Sequence, residues 1–326
     1  MNILIPDVIK DNGVIEKNVF GSKYNIYAPN VRNSAEIPDD VWANCNAILA
    51  FDQLTYDSSL IDKLHNCKII VRVGVGFDNV DLDSAHKNGI VVCNVPDYGT
   101  EEVADHTMAL MLNLTRGIQK YSRNTEKRNW DRSNELPIRL RGKKLGLLGF
   151  GRIGMAFALR AKAFGLDVCF YDPYLANGFE KSLGVTRCRS LESLAMESNI
   201  FSLHAPLTEK TKEIIGQKFF QFVKEGSYLI NTARGGLIDI NALFDAMQKN
   251  LIKAAALDVL PIEPNCDSQK LITCWEKQED WIKDRLIITP HVAFFSPESY
   301  NEMRVSAAQE AKRVLKGQTP HNQVFS

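Results

Sequence analysis

The chain has 326 residues, 45% hydrophobic and 24% charged, which suits a globular protein with about two cores at roughly 100–200 residues per domain. Its 39 basic and 39 acidic residues cancel, so the positive excess that binds a phosphate backbone is missing and no direct nucleic-acid partner is expected. No run approaches about 20 uninterrupted apolar residues, and the opening MNILIPDVIKDNG has no basic start before an apolar core; neither a membrane span nor a signal peptide is expected.

In chain order, the apolar runs AILAF (47–51), KIIVRVG (68–74) and IVVCNV (90–95) alternate with the helical patterns SSLIDKLHN and LDSAHKNG. That rhythm predicts βαβ units and a parallel sheet. Residues 100–124 follow as one long helix, with Thr100 as a candidate cap and Glu101 and Glu102 in the first turn. Its apolar residues spread too widely for one surface face, so it is expected to cross between two bodies.

After a polar stretch the rhythm restarts. Strands are predicted at KKLGLLGF, LDVCFYD, IFSLHAP, GSYLINTA, AAALDVL and RLIITPH, a complement that matches a full dinucleotide-binding sheet. Residues 296–317 form a last helix ending at Gly317, expected to pack back on the first domain. The seven cysteines never form CxxC; Cys93 and Cys169 lie inside apolar strands, where a buried thiol is expected. A reducing cytoplasm fits this usage.

The chemistry concentrates at strand ends. Gly149, Gly151 and Gly154 form G-x-G-x-x-G directly after an apolar strand and opening a helix. The first glycine allows a tight turn, the second lets backbone approach a pyrophosphate, and the third lets helix and strand pack. Asp172, 18 residues after Gly154, ends the next strand; a carboxylate there favours the ribose hydroxyls of NAD and repels the extra phosphate of NADP.

Three further polar residues follow later strands: Arg234 after YLINTA, Glu263 after AAALDVLPI, and His291 after LIITP. Each has a plain alternative, as a solvated turn arginine, a loop-surface glutamate or a satisfied turn histidine. Ligands in wound parallel sheets lie outside the carboxyl ends of the strands, and these three types suit one reaction there. Arginine clamps a carboxylate and polarises the neighbouring carbonyl. Histidine exchanges a proton with that carbonyl as hydride moves, and glutamate fixes its tautomer.

With these motifs in order, together with VRVGVGFDNVDLDSAHKNGI, CNVPDYGTEEVADH, HAPLTEKT, NTARGG, ALDVLPIEP and TPHVAFFSPES, the chain resembles the D-isomer-specific 2-hydroxyacid dehydrogenases. Within them it is most similar to the phosphoglycerate dehydrogenase-like branch shared with the C-terminal-binding-protein corepressors. The resemblance implies an α/β fold of two Rossmann-like, doubly wound parallel-sheet domains. The larger, 99–295, would bind NAD; the smaller, 1–98 plus 296–326, would be flavodoxin-like, discontinuous and substrate-binding.

It further implies that Arg234, Glu263 and His291 are catalytic, and that Arg152 and Ile153 join the glycine loop at the cofactor. Asp258 would contact the nicotinamide carboxamide, with His204, Ala205, Pro206, Thr208, Thr232 and Ala233 lining the rest. The substrate carboxylate would meet backbone N–H groups of Val75 and Gly76, with Arg72 facing the same ligand.

No metal is implied. A homodimer through the NAD-binding domain, a cytoplasmic location and a small 2-oxo or 2-hydroxy acid as partner are. Two functions stay open: a dehydrogenase acting mainly as a 2-oxo acid reductase, or an NAD(H)-sensing scaffold for partner proteins. The chain departs from the family pattern at Phe294, where the corepressor branch has tryptophan, and in a longer segment between Glu263 and His291, whose Trp275 and Trp281 are expected to pack or cover. With the sequence ending at Ser326, the regulatory domain of longer relatives is not expected.

Overall fold

The structure, a computed structural model, describes residues 1–133, 137–263 and 269–325. Its contacts divide the chain into two compact units, Met1–Gly99 with the residues from Phe295 on, and Thr100–Phe294.

The first unit is built on five parallel strands: β1 (Asn2–Leu4), β2 (Asn25–Tyr27), β3 (Ala47–Ala50), β4 (Ile69–Arg72) and β5 (Val91–Cys93). They lie in the order β2-β1-β3-β4-β5, the flavodoxin-like arrangement. β3 and β4 are buried at every residue, as strands covered on both faces must be. The helix Pro297–Leu315 completes this unit, opened by a capping box between Ser296 and Ser299. Its Arg304 is 2% exposed and forks onto Asp11 (3.0 and 2.8 Å) and Glu16 (2.7 and 2.6 Å), tying the late helix to the first segment of the chain. Beyond the helix, Gln323 bridges Cys93 in antiparallel sense, and Val324 N–H donates to Val92 O, extending the β5 edge.

The second unit carries seven parallel strands: β6 (Lys144–Leu148), β7 (Asp167–Tyr171), β8 (Thr186–Arg187), β9 (Ile200–Leu203), β10 (Ser227–Asn231), β11 (Ile252–Leu257) and β12 (Leu286–Ile288). Their order, β12-β11-β10-β9-β6-β7-β8, is the 3-2-1-4-5-6 winding of a dinucleotide-binding sheet with one strand added. Alternate residues feed opposite cores. Leu229, Ala255 and Leu257 join Phe219, Leu243 and Ile282 on one face, while Ile230, Ala254 and Ala256 join Met108, Met111 and Phe157 on the other. Ala254 and Ala256 of β11 leave room for Thr100–Arg116 to pack against it.

The short β1 and β2 are not predicted from the sequence, and three further features differ from that reading. The long helix breaks at Gly117, which takes a left-handed φ of 65°, and restarts as Ile118–Glu126. Its broad apolar surface is explained by burial within the second unit, where Ala104, Met108, Leu110, Met111 and Leu114 join the core, rather than by a crossing between bodies. β8 is two residues long, too short to leave a periodic pattern. Cys93 and Cys169 are fully buried; Cys266, with the rest of 264–268, lies outside the described residues. Trp275 and Trp281 pack on the core of the second unit, Trp275 Nε1 donating to Leu286 O at 3.1 Å. Among the described residues no helix is long and apolar enough to cross a membrane, and no cluster of three potential metal ligands occurs.

Candidate active site

Because the large sheet is wholly parallel, every strand delivers its next residues to the same carboxyl edge. Gly149 follows β6, Asp172 follows β7, His204 follows β9, Thr232–Arg234 follow β10, Asp258 and Glu263 follow β11, and Thr289–His291 follow β12. The winding reverses between β6 and β9, which is where such sheets open a crevice.

The three loop glycines are glycine for different reasons. Gly149 has φ 86°, and a Cβ on it would lie 2.7 Å from the His204 carbonyl carbon and oxygen. A Cβ on Gly154 would lie 2.7 Å from Gly149 O. Protein packing accounts for both. A Cβ on Gly151 would meet nothing within 4 Å, and its φ of −79° suits any residue. Its bareness leaves open space at the start of the helix Arg152–Ala163, whose first turn, with Arg152 and Ile153, no side chain caps. Backbone N–H groups and the positive end of the helix dipole face that space, a fit for a phosphate group.

Asp172 is held at the far side of the loop. One oxygen accepts from Phe150 N–H (3.0 Å) and the other from Tyr174 and Leu175 N–H (3.0 and 3.2 Å). The nearby Arg187 does not reach the carboxylate. It donates to the carbonyls of Asp172, Leu175 and Ala176, pairs with Glu180 at 3.0 Å and lies over the Phe170 ring. The turn that follows Asp172 is therefore knitted from beneath.

His204 is an interior histidine. Burial pushes its imidazole down to about 3, so the ring is neutral, bonded to Ser202 Oγ at 2.9 Å and tilted against Phe157. Ala205 and Pro206 lead into a loop pinned by Thr211, whose hydroxyl donates to Pro206 O at 2.6 Å and accepts from Thr208 N–H at 2.8 Å.

At the opposite end of the edge, His291 Nδ1 and Glu263 Oε2 are 2.7 Å apart, and Glu263 Oε1 accepts from Leu260 N–H at 2.8 Å. Burial pushes the Glu263 carboxyl up, but the His291 bond and charge, Leu260 N–H and the Arg234 charge outweigh it and hold the group below its ordinary range. An ionised carboxylate only accepts, so Nδ1 of His291 carries the hydrogen and Nε2 is the nitrogen left to exchange a proton. His291 has φ 50°, an unusual conformation for a non-glycine residue. Its N–H donates to Asp258 O at 2.7 Å, which helps hold it there. Phe294 stands edge-on to the imidazole, 6.2 Å between ring centres.

Arg234 follows a turn stapled by Asn231, which the sequence reading passed over. Fully buried at the end of β10, Asn231 accepts from Ala233 N–H (3.0 Å) and donates to Arg234 O (2.9 Å), an Asx turn legible only once the strand end is known. Arg234 Nη1 donates to Ala233 O at 2.8 Å. Asp258 is 1% exposed; its carboxylate accepts from Thr289 Oγ1 (2.5 Å), Val292 N–H (3.0 Å) and Ala293 N–H (2.9 Å).

In the first unit, Arg72 ends β4 and its Nη1 donates to Val73 O at 2.5 Å. Gly74, at φ 147°, makes room for that guanidinium, since a Cβ there would lie 1.9 Å from Nη1. Val75 is exposed, and its carbonyl accepts from Asn94 Nδ2 at 2.7 Å, so the loop through Val75 and Gly76 is braced from β5.

Such an edge, with its bare Gly151, its held Asp172 and its carboxylate-paired histidine, defines the class of dinucleotide-binding oxidoreductase folds. The chain belongs to the D-isomer specific 2-hydroxyacid dehydrogenases: residues 108–293 match that family's NAD binding domain. It is 38% identical over 265 residues to D-3-phosphoglycerate dehydrogenase of Methanocaldococcus jannaschii, covering 81% of this chain and 49% of that one. To C-terminal-binding protein 1 of Caenorhabditis elegans it is 33% identical over 301 residues, covering 89% and 40%. The chain thus spans half or less of the length of these two relatives. Among solved structures it is similar to D-lactate dehydrogenase from Aquifex aeolicus, complexed with NAD and lactic acid, at TM-score 0.89 and 30% identity over 100% of this chain and 99% of that one. It is also similar to the NADPH-dependent glyoxylate/hydroxypyruvate reductase of Sinorhizobium meliloti, in complex with NADP and malonate, at TM-score 0.86 and 27% identity over 99% and 96%.

Proposed function

We propose that the protein interconverts a 2-oxo acid and a D-2-hydroxy acid with NAD(H), working mainly as a reductase. The observation that carries this reading is the His291–Glu263 pair at the carboxyl edge of a dinucleotide-type sheet, with Arg234 close enough for its charge to act on Glu263. In this reading the unit Thr100–Phe294 takes the cofactor and the other unit the acid.

The residues fit NAD. Gly151 leaves space for the pyrophosphate at the uncapped helix start, and Asp172 stands for the adenosine ribose, with Thr208, Thr232, Ala233 and Asp258 along the same edge. Preference for NAD over NADP follows from Asp172, because Arg187 is bonded to backbone carbonyls and Glu180 instead of standing ready for a phosphate. When bound, NADH supplies the hydride.

The chain's residues do the rest. Arg234 holds the substrate carboxylate and polarises the 2-oxo group; the Val75 and Gly76 N–H groups with Arg72 make up an anion-binding loop suited to a carboxylate. His291 Nε2 gives its proton to the carbonyl oxygen, and Glu263 stabilises the charged ring before the transfer. Phe294 forms part of the wall that selects the substrate side chain. The unpaired cysteines among the described residues accord with a reducing cytoplasm, and a homodimer through the cofactor unit is expected.

The test is NADH and NADPH oxidation against a panel of 2-oxo acids, with His291→Asn and Arg234→Ala as controls. Loss of the proton donor should lower kcat by about 10²–10⁴-fold. A panel giving no turnover above the His291→Asn control refutes the reading, and a clear preference for NADPH refutes the role of Asp172. Similarity to C-terminal-binding protein 1 favours a second reading, an NAD(H)-responsive scaffold; tight NADH binding without turnover of any 2-oxo acid would favour it.

A further inference from the structure

Two consecutive residues of the helix Thr100–Arg116 reach the loops of Arg234 and His291. Thr107 Oγ1 lies 2.8 Å from Thr232 Oγ1, two residues before Arg234, and its hydroxyl also approaches Val103 O at 2.6 Å. His106 Nε2 lies 3.3 Å from Thr289 Oγ1, two residues before His291, and 3.7 Å from Asp258 Oδ1. Thr107 is fully buried and Thr232 nearly so. The two strands concerned, β10 and β12, do not pair with each other; β11 stands between them.

Asp258 is buried and its carboxylate already takes Val292 and Ala293 N–H, so it acts as an acceptor. The single hydroxyl hydrogen of Thr289 goes to it, at 2.5 Å. The Thr289 oxygen is then an acceptor toward His106, and His106 must carry hydrogen on Nε2. The path runs His106 to Thr289 to Asp258, whose own carbonyl takes His291 N–H at 2.7 Å and helps hold the φ of 50°. Asp258 thus grips the His291 loop through both its backbone and its side chain.

We infer that His106 and Thr107 are positioning residues, a brace that sets the separation of Arg234 from His291 through Thr232 and Thr289. This rests on the reading of Arg234 and His291 as the reacting pair. Reduction of a 2-oxo acid needs its carboxylate and its carbonyl oxygen held at one spacing, and that spacing is fixed by two side chains on different strands. A helix bonded to both loops by adjacent residues makes the spacing a property of the fold. His106 retains partial exposure, its side chain being 25% accessible, so its replacement need not disturb the core.

The experiment uses the full chain with Thr289→Val, Thr289→Ser, Thr107→Val, Thr107→Ser, His106→Phe and His106→Gln. Thr→Val keeps the shape and removes the hydroxyl; Ser restores the hydroxyl and removes a methyl. Thr289→Val and Thr107→Val are expected to lower kcat about tenfold or more, since misplacement by about 1 Å costs on the order of 10²-fold. The serine variants and His106→Gln should stay within about threefold of wild type by the same scale. Independently of turnover, the downfield ring-proton resonance of His291 Nδ1, a signature of its bond to Glu263, should weaken in Thr289→Val and His106→Phe and return in Thr289→Ser.

Equal losses for Thr289→Ser and Thr289→Val would mean packing instead of positioning and overturn the inference. So would a His291 resonance unmoved in both Thr289→Val and His106→Phe. If wild type turns over no 2-oxo acid, the dehydrogenase reading falls, and the resonance still decides the brace.

Discussion

Gly235 offers a sharp test of how closely the loops of Arg234 and Glu263 are packed. A methyl group on it would lie 1.9 Å from the Leu260 carbonyl carbon, 2.1 Å from Leu260 O and 2.4 Å from Pro261 N. All three are backbone atoms, which cannot swing aside as a side chain can. Carbon contacts under 3.0 Å essentially do not occur, so Gly235→Ala must drive the turn and the Leu260–Pro261 peptide apart by about 1.1 Å.

Leu260 N–H is the donor that holds Glu263, and Arg234 adjoins the substituted residue, so the displacement falls directly on the site. Overpacking of this kind costs about 1–3 kcal/mol, which lowers Tm by roughly 2–4 °C per kcal/mol in a domain of this size. A 1 Å misplacement should lower kcat/KM by about 10²-fold. Gly236→Ala is the control, because its methyl would meet only the tips of Leu207, at 3.0 and 3.2 Å, which can rotate away. Steady-state kinetics and thermal melts on both variants give the comparison. If Gly235→Ala keeps half the wild-type kcat/KM and an unchanged Tm, the close-approach argument is wrong.

Three further outcomes are expected. Gly151→Val, placed where a side chain meets no protein, should leave the melt unchanged while weakening NADH binding at least about tenfold, or about 1.4 kcal/mol; fluorescence titration measures this, and unchanged affinity would detach the pyrophosphate from that space. Arg304→Leu strands Glu16, whose side chain has no exposure, and should destabilise the chain by about 3–5 kcal/mol in denaturant, with Arg304→Leu/Glu16→Gln recovering most of it; a loss under about 1 kcal/mol would refute the argument. Glu263 has a lowered folded value, so its contribution to stability is complete above the ordinary carboxylate value of 4.5 and is lost as pH falls through the folded one. The Tm difference between wild type and Glu263→Gln should therefore shrink below pH 4.5, and growth of that difference on acidification would contradict the sign.

Much of this was legible in the sequence because parallel sheets make local patterns carry long-range meaning. An apolar run followed by a polar residue places that residue on one shared edge, so Gly149, Asp172, Arg234 and His291 could be collected without coordinates. What stayed hidden is pairing in space. Nothing adjacent to Thr289 or His106 in the chain marks them as supports, since their partners lie on other strands or another helix, and the local turn that Asn231 staples shows only once the end of its strand is known. Gly117 illustrates the reverse difficulty: a glycine inside a long helical pattern can continue the helix or break it, and its φ of 65° shows the break.

The Arg304 cluster has a consequence for how the chain is made. Its partners Asp11 and Glu16 are synthesised almost three hundred residues earlier. The unit Thr100–Phe294 is continuous and can close on itself as soon as its last strand leaves the ribosome. The unit built on β1 to β5 must wait for the helix Pro297–Leu315, holding Glu16 meanwhile without the cation that neutralises it. That unit is complete only once the helix carrying Arg304 is available.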